Sequence, residues 1–359
     1  MVAKVERVNK VDWVDRVNKV DRVNKVDKVN TVNKVDKVSI DNTDNIAKMD
    51  SMDNMDSMDN MDKMDSMDSM DNTYNMAKIL EVRKINKSYG LFTLNDVSFE
   101  LPHGYIMGFI GPNGAGKTTT IKIIMNVIRS DSGSVKLFGR ESTLVQNENI
   151  GVVMDTPLYV DEWTIVDVEK AISPFYQQWD KKKFADLIKQ FGIGGKKKVK
   201  ELSRGMKVKL QIAAALSHNA TFLILDEPTS GLDPVAREEI CDLLREFIED
   251  ENKSVLFSTH ITSDLEKIAD YITFILNGNI IFTGTKDTLL EKYARVTGGL
   301  ADINNEQKKS IIGYREYGTG FEGMIGISNV KVLPDSVLVE EISLEEIIIF
   351  MNKGVQLHE

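Results

Sequence analysis

Apolar residues recur at every third position in the first part of the chain: valine from Val2 to Val38, then methionine from Met49 to Met70. A period of three keeps step neither with a helix, at about 3.6 residues per turn, nor with a strand, at about two. No single face therefore collects the apolar side chains. The heptad of a coiled coil is excluded by the same spacing. The segment DNTDNIAKM from Asp41 recurs as DNTYNMAKI from Asp71, a repeat laid over a repeat. Residues 1–75 are predicted to be a low-complexity extension, disordered and without a packed core. Ordinary globular sequence opens at Met76, and the functional protein is expected to begin near it.

Beyond that point the pattern changes to recognisable elements. Ile79–Leu101 and Val135–Val153 read as strand-rich. Tyr105–Ile110, Phe222–Leu225 and Ser254–Ser258 are short apolar runs of buried-strand length. Phe184, Leu187, Ile188 and Phe191 stand at helical spacing within a helix-rich insert between Thr156 and His218. DPVAREEICDLLREFIED is an amphipathic helix with Asp233 as N-cap and Pro234 in its first turn. YITFILNGNIIFTG predicts a hairpin turning at Asn277–Gly278. The tail from about Arg295 alternates through VKVLPDSVLVEE and ends in a helix opened by a Ser343–Glu346 capping box.

Composition narrows the class. The 359 residues are 42% hydrophobic and 28% charged, values of a globular protein with a sizeable core. The net charge of -10 argues against a nucleic-acid partner, which needs a basic face. The single cysteine, Cys241, cannot form an internal disulfide and is expected to pack inside a helix. The longest apolar runs, such as Ile347–Met351, fall far short of the roughly 20 residues of a membrane-spanning helix, so no direct insertion is expected. No secretory signal pattern is seen.

The chemistry centres on GPNGAGKTT, comprising Gly111, Pro112, Asn113, Gly114, Ala115, Gly116, Lys117, Thr118 and Thr119. It fits the phosphate-loop pattern, follows an apolar strand and precedes a helix. Its glycines let backbone N–H groups turn inward toward phosphate oxygens at a helix N-terminus. Lys117 is expected on the β- and γ-phosphates, and the Thr118 hydroxyl on Mg²⁺. TFLILDEPTSGLD ends a buried strand in paired acids: Asp226 to hold the metal, Glu227 to polarise the attacking water. His260 follows the next strand, within reach of a γ-phosphate.

These motifs, with LSRGM at Leu202–Met206 and SGLD at Ser230–Asp233, stand in an order that resembles the nucleotide-binding subunit of ABC transporters from about Ile79 to Tyr293. The resemblance implies an α/β P-loop NTPase of RecA-like type: a cassette at 76–294 with an antiparallel β subdomain and a helical subdomain at about 156–218. The 295–359 region would be a small α+β accessory tail. It implies ATP and Mg²⁺ as cofactors and Tyr89 stacked on adenine. It also implies that Ser203 and Gly205 complete the site of a second cassette in a head-to-tail homo- or heterodimer, and that Asp233 is a further nucleotide-binding residue. Three positions depart from the family pattern: Asp155 replaces a glutamine, Arg204 a glycine and Met206 a glutamine. Asp155 is expected to keep a metal-sensing role, and Arg204 to point away from the nucleotide.

FYQQWD and HITSDLEKIADYITFI are most similar to exporter ATPases of the lantibiotic, bacitracin and acetoin-operon kind, of ABC-2 type. The implied function is ATP hydrolysis driving export through a separate membrane permease, with the chain cytoplasmic and peripheral on the membrane's inner face. The alternative is a non-transport ABC ATPase acting on ribosome or DNA. The transported substrate is not legible.

Overall fold

The computed structural model describes residues 78–142, 148–156 and 159–356; the valine and methionine repeats, and the disorder expected for them, lie outside the described residues. Three sheets organise the described residues. The first is antiparallel: β1 (Lys78–Tyr89), β2 (Phe92–Pro102), β4 (Ser132–Leu137) and β5 (Arg140–Glu141), in the order β2-β1-β4-β5. The second holds β3 (Ile106–Ile110), β6 (Ile150–Val153), β7 (Phe222–Asp226), β8 (Ser254–Thr259), β9 (Tyr271–Leu276) and β10 (Asn279–Thr285). Its order is β10-β9-β3-β8-β7-β6, parallel except for β10 at the edge.

Ile150–Val153, within the segment read as strand-rich, pairs in parallel with Phe222–Leu225. An apolar run of four residues carries no sign of its partner, so burial between neighbours decides it.

The parallel strands are apolar on both faces because both faces are covered. Met107, Phe109, Phe222, Ile224 and Leu256 pack toward the antiparallel sheet, with Leu80, Val82, Val97 and Phe99. Their alternates Ile106, Ile110, Leu223, Leu225, Val255 and Phe257 face the helices, the two-residue period of a strand. The helices follow in chain order: α1 (Lys117–Ile124), α2 (Ile165–Ile172), α3 (Lys181–Gln190), α4 (Arg204–Ser217), α5 (Pro234–Phe247) and α6 (Thr262–Ile268). Helix α6 lies so close on β3 that a Cβ at Gly108 would stand 2.7 Å from a methyl of Leu265.

Helices α2, α3 and the N-terminal half of α4 enclose a separate apolar cluster of Ile165, Val168, Phe184, Ile188, Val199 and Leu210, against which Tyr159, Trp163 and Leu187 pack. Helix α4 belongs to two cores, since Val208, Ile212 and Ala215 turn to the parallel sheet. Caps fall where the sequence places them. Asp233 Oδ1 accepts from the backbone N–H of Val235 and Ala236, each at 3.0 Å. The hairpin turns on Asn277 (φ 47°) and Gly278 (φ 76°), both left-handed. Cys241 is buried on α5, and that burial pushes its thiol up to about 11.

After α7 (Lys286–Lys292) a third, antiparallel sheet forms from β11 (Tyr293–Gly299), β12 (Ile312–Tyr317), β13 (Gly320–Gly326) and β14 (Leu338–Glu340) in the order β12-β13-β11-β14. Helix α8 (Asn305–Lys309) precedes β12 and α9 (Leu344–Gln356) closes the chain. The alternating tail is strand only at β14; Ile327–Val332 instead winds into a 3₁₀ helix. Ser343 and Glu346 make the predicted capping box, the serine hydroxyl accepting from Glu346 N at 3.2 Å and the carboxylate accepting from Ser343 N at 3.0 Å. The buried face of α9, with Leu344, Ile347, Phe350 and Met351, joins the cluster that holds Leu265 and Ile268 of α6. The backbone N–H of Leu344 donates to Glu266 on α6 at 3.1 Å. No described helix is long and apolar enough to cross a membrane.

Candidate functional site

The loop Gly111–Thr119 joins the end of β3 to α1. Two glycines are demanded for different reasons. Gly116 caps α1 in a left-handed conformation, φ 112°, a region open to glycine at no steric cost. At Gly111 any Cβ would overlap the carbonyl oxygen of Ile275. Lys117 then falls at the start of α1 with its side chain only 6% exposed, and its Nζ donates to the carbonyls of Gly111 (2.7 Å) and Pro112 (3.2 Å). The loop is thus folded around its own lysine.

Parallel pairing brings the acids to the same end. β7 lies beside β8, and β8 beside β3, so Asp226 arrives level with the loop. Asp226 Oδ2 accepts from the Thr118 hydroxyl at 2.7 Å, and Oδ1 from the Ser258 hydroxyl at 3.0 Å. Burial nonetheless holds the Asp226 carboxyl above its ordinary range, the two hydroxyl donors offsetting only part of it. Glu227 takes a left-handed φ of 52°, a rare conformation for a residue with a Cβ. Its N–H donates to Ser258 O at 2.9 Å, and its carboxylate lies between two bases. Lys117 Nζ is 3.1 Å from Oε1, and His260 Nδ1 is 2.7 Å from Oε2.

A cavity of about 490 Å³ opens here, lined by Asn113, Gly114, Lys117, Thr118, Thr119, Asp155, Asp226 and Glu227 together with Phe92 and Gly116. One lysine faces three acids in that lining, so a polyanion would enter it only with compensating cationic charge. Among the described residues, no cluster of three His, Cys, Asp or Glu side chains forms a metal cage.

The other sequence-predicted residues lie outside the lining. Tyr89 is 48% exposed, paired across the β1–β2 turn with Phe92, and the Lys87 ammonium lies over its ring. Phe92 is the aromatic residue of the lining; its position beyond the Tyr89–Gly90–Leu91 turn was the available but overlooked signal. Ser203 is the N-cap of α4, its hydroxyl accepting from Met206 N at 3.3 Å, with Gly205 in the first turn. Asp233 caps α5. Arg204 bends toward its own chain's cavity and forms an ion pair with Asp155 on the cavity wall. Sequence reasoning also missed Ser258 and Gln211. Gln211 accepts from Met154 N and donates to Met154 O, both at 3.0 Å. Neither has a motif signature.

Residues 94–230 match the ABC transporter family. Over 232 residues, 64% of this chain and 97% of the relative, the sequence is 36% identical to the lantibiotic transport ATP-binding protein SrtF of Streptococcus pyogenes. It is 31% identical to the bacitracin transport ATP-binding protein BcrA of Enterococcus faecalis, across 57% of this chain and 69% of that one. Among solved structures, an ATP-binding subunit of an ABC transporter superposes with a TM-score of 0.53 at 26% identity, covering 59% of this chain and 91% of that one. The cbiO1 protein of Clostridium perfringens, part of the ABC transporter complex cbiONQ, gives 0.52 at 25% identity, over 59% and 90%.

Proposed function

This chain belongs to the ATP-binding proteins of ABC transporters, a family that hydrolyses ATP, and on that premise we propose that it does so in the cavity under the 111–119 loop, to drive export through a separate membrane-spanning chain. The observation that carries the reading is the Glu227 carboxylate held between Lys117 and His260, one residue from an Asp226–Thr118 pair.

In this reading the N–H groups of Gly111–Thr119 and the Lys117 ammonium bind the β- and γ-phosphates. The aromatic faces of Tyr89 and Phe92 receive the base. The donor set suits Mg²⁺: the Thr118 hydroxyl and the Asp226 carboxylate are adjacent hard oxygens, and Mg²⁺ is held through one or two protein oxygens plus phosphates rather than by a closed protein cage. When bound with nucleotide, Mg²⁺ at these two residues would supply charge neutralisation for the phosphates. Asp155 stands on the cavity wall, ion-paired with Arg204, at the position where the family pattern has glutamine.

Lys117 couples binding to activation. Its ammonium is shared with Glu227 at 3.1 Å, and a polyphosphate competes for it. Loss of that partner frees Oε1 to accept a proton from the attacking water as general base. His260, bonded to Oε2, holds the carboxylate in place. The N-terminus of α4, with Ser203 and Gly205, and the turn at Asp233 cap the nucleotide of a second cassette, identical or related, so turnover requires a pair.

The transport names of the relatives favour export over action on ribosome or DNA, and a chain that drives a permease would sit on the inner face of the cell membrane. Glu227→Gln tests the whole: it should abolish turnover while ATP drives the variant into stable dimers. A variant that stays monomeric at saturating ATP counts against the shared site.

A further inference from the structure

We propose that Arg204 is a positioning residue that latches the Ser203-bearing helix to the acid wall of its own chain's nucleotide cavity, so that its partner Asp155 enters the site as half of a neutral pair. The proposal rests on the ATPase reading and concerns two residues that both depart from the family pattern.

Three contacts converge on one face of α4. At its first residue, the Arg204 guanidinium is ion-paired with Asp155, which lines the cavity. The same guanidinium lies over the Ser230–Asp233 turn: a Cβ added at Gly231, whose φ is 69°, would stand 3.2 Å from Arg204 Nη1 and 3.5 Å from its Cζ. Seven residues further along, and therefore on the same side of the helix, Gln211 bonds both the N–H and the carbonyl of Met154 at 3.0 Å. The segment 154–155 is thus held at two points two turns apart, directly after β6.

Each charge alone would be unfavourable where it stands. A cation at the first residue of a helix opposes the positive end of the helix dipole. A lone aspartate would add negative charge to a wall that must accept phosphates. Paired, they cancel, and the arginine fork gains a second surface at Gly231 that a lysine could not cover. Both side chains are about half exposed. An exposed pair of this kind adds little to global stability, so its removal changes position and local charge rather than folding.

The test is a double-mutant cycle on the full chain, reading Mg-ATP affinity, turnover and melting temperature. Arg204→Ala should leave melting nearly unchanged and weaken Mg-ATP binding roughly tenfold, because Asp155 is left unpaired on the cavity wall. Adding Asp155→Asn should return the affinity to within about twofold of the parent, while turnover stays low because the latch is gone. Arg204→Lys, which keeps charge without the fork, should fall between. Additive affinity losses, an Arg204→Ala chain that binds like the parent, or a double variant with parental turnover would each overturn the latch. A parent chain that binds no nucleotide would overturn the ATPase reading with it, whereas additive losses on a binding parent strike the latch alone.

Discussion

His260 Nδ1 lies 2.7 Å from Glu227 Oε2, although thirty-two residues and a full strand separate them in the chain. The contact exists because β7 and β8 run parallel and adjacent, so both side chains leave the sheet at the same edge. With Glu227 in a left-handed conformation, its carboxylate has few other orientations, and His260 selects one. His260→Ala should therefore lower kcat by about 10²–10³ with KM for ATP within about threefold. Steady-state ATPase assays decide it; a loss confined to KM would remove His260 from the chemical step.

Asp226 gives a prediction with opposite signs for stability and activity. Its carboxyl sits above the ordinary value of 3.8 because burial outweighs the Thr118 and Ser258 hydroxyls. The folded chain therefore holds that proton more tightly than the unfolded chain. This contribution favours folding at low pH and declines as pH rises from 3.8 through the higher folded-state value. Asp226→Asn should lack that decline. At neutral pH it should melt higher than the parent, while losing at least about a hundredfold in turnover. Calorimetry across pH and an ATPase assay measure both; a lower melting temperature at neutral pH would refute the argument.

Tyr89 and Phe92 face each other across the β1–β2 turn but differ in surroundings. Tyr89 is half exposed, whereas Phe92 packs against the antiparallel-sheet core and lines the cavity. Tyr89→Ala should weaken nucleotide binding by about 1–2 kcal/mol, a stacking loss, with unchanged melting. Phe92→Ala should cost affinity and also lower the melting temperature. Titration with a fluorescent ATP analogue beside thermal melts separates the two; equal melting of the variants would contradict the packing.

Phe350 tests whether the C-terminal helix belongs to the main core. It is 2% exposed, lies in the cluster that holds Leu265 and Ile268, and has the Arg315 guanidinium 5.1 Å from its ring centre. Phe350→Ala should destabilise the chain by about 3–5 kcal/mol. Tryptophan fluorescence from the helical region and circular dichroism should shift together in urea. An early, separate transition of the tail would show that the two parts unfold independently.

Much of this protein is local, and local features are legible. The phosphate loop, the caps at Ser203, Asp233 and Ser343, and the turn at Asn277–Gly278 depend on residues within a few positions of one another, so their chemistry can be read from order and spacing alone. The unbroken apolar runs of β3, β7 and β8 likewise announce strands covered on two sides. What only the tertiary structure decided is pairing across distance. Ile150–Val153 joined the parallel sheet, Ser258 came to hold Asp226, Gln211 seized Met154, and Arg204 paired with Asp155. α9 merged with the core beside α6. A short apolar run or a single polar side chain states what it needs, burial or a partner, but many sites in a chain can satisfy that need. The choice among them is made by which surfaces the whole fold brings within a few ångströms, and no stretch of residues carries that information by itself.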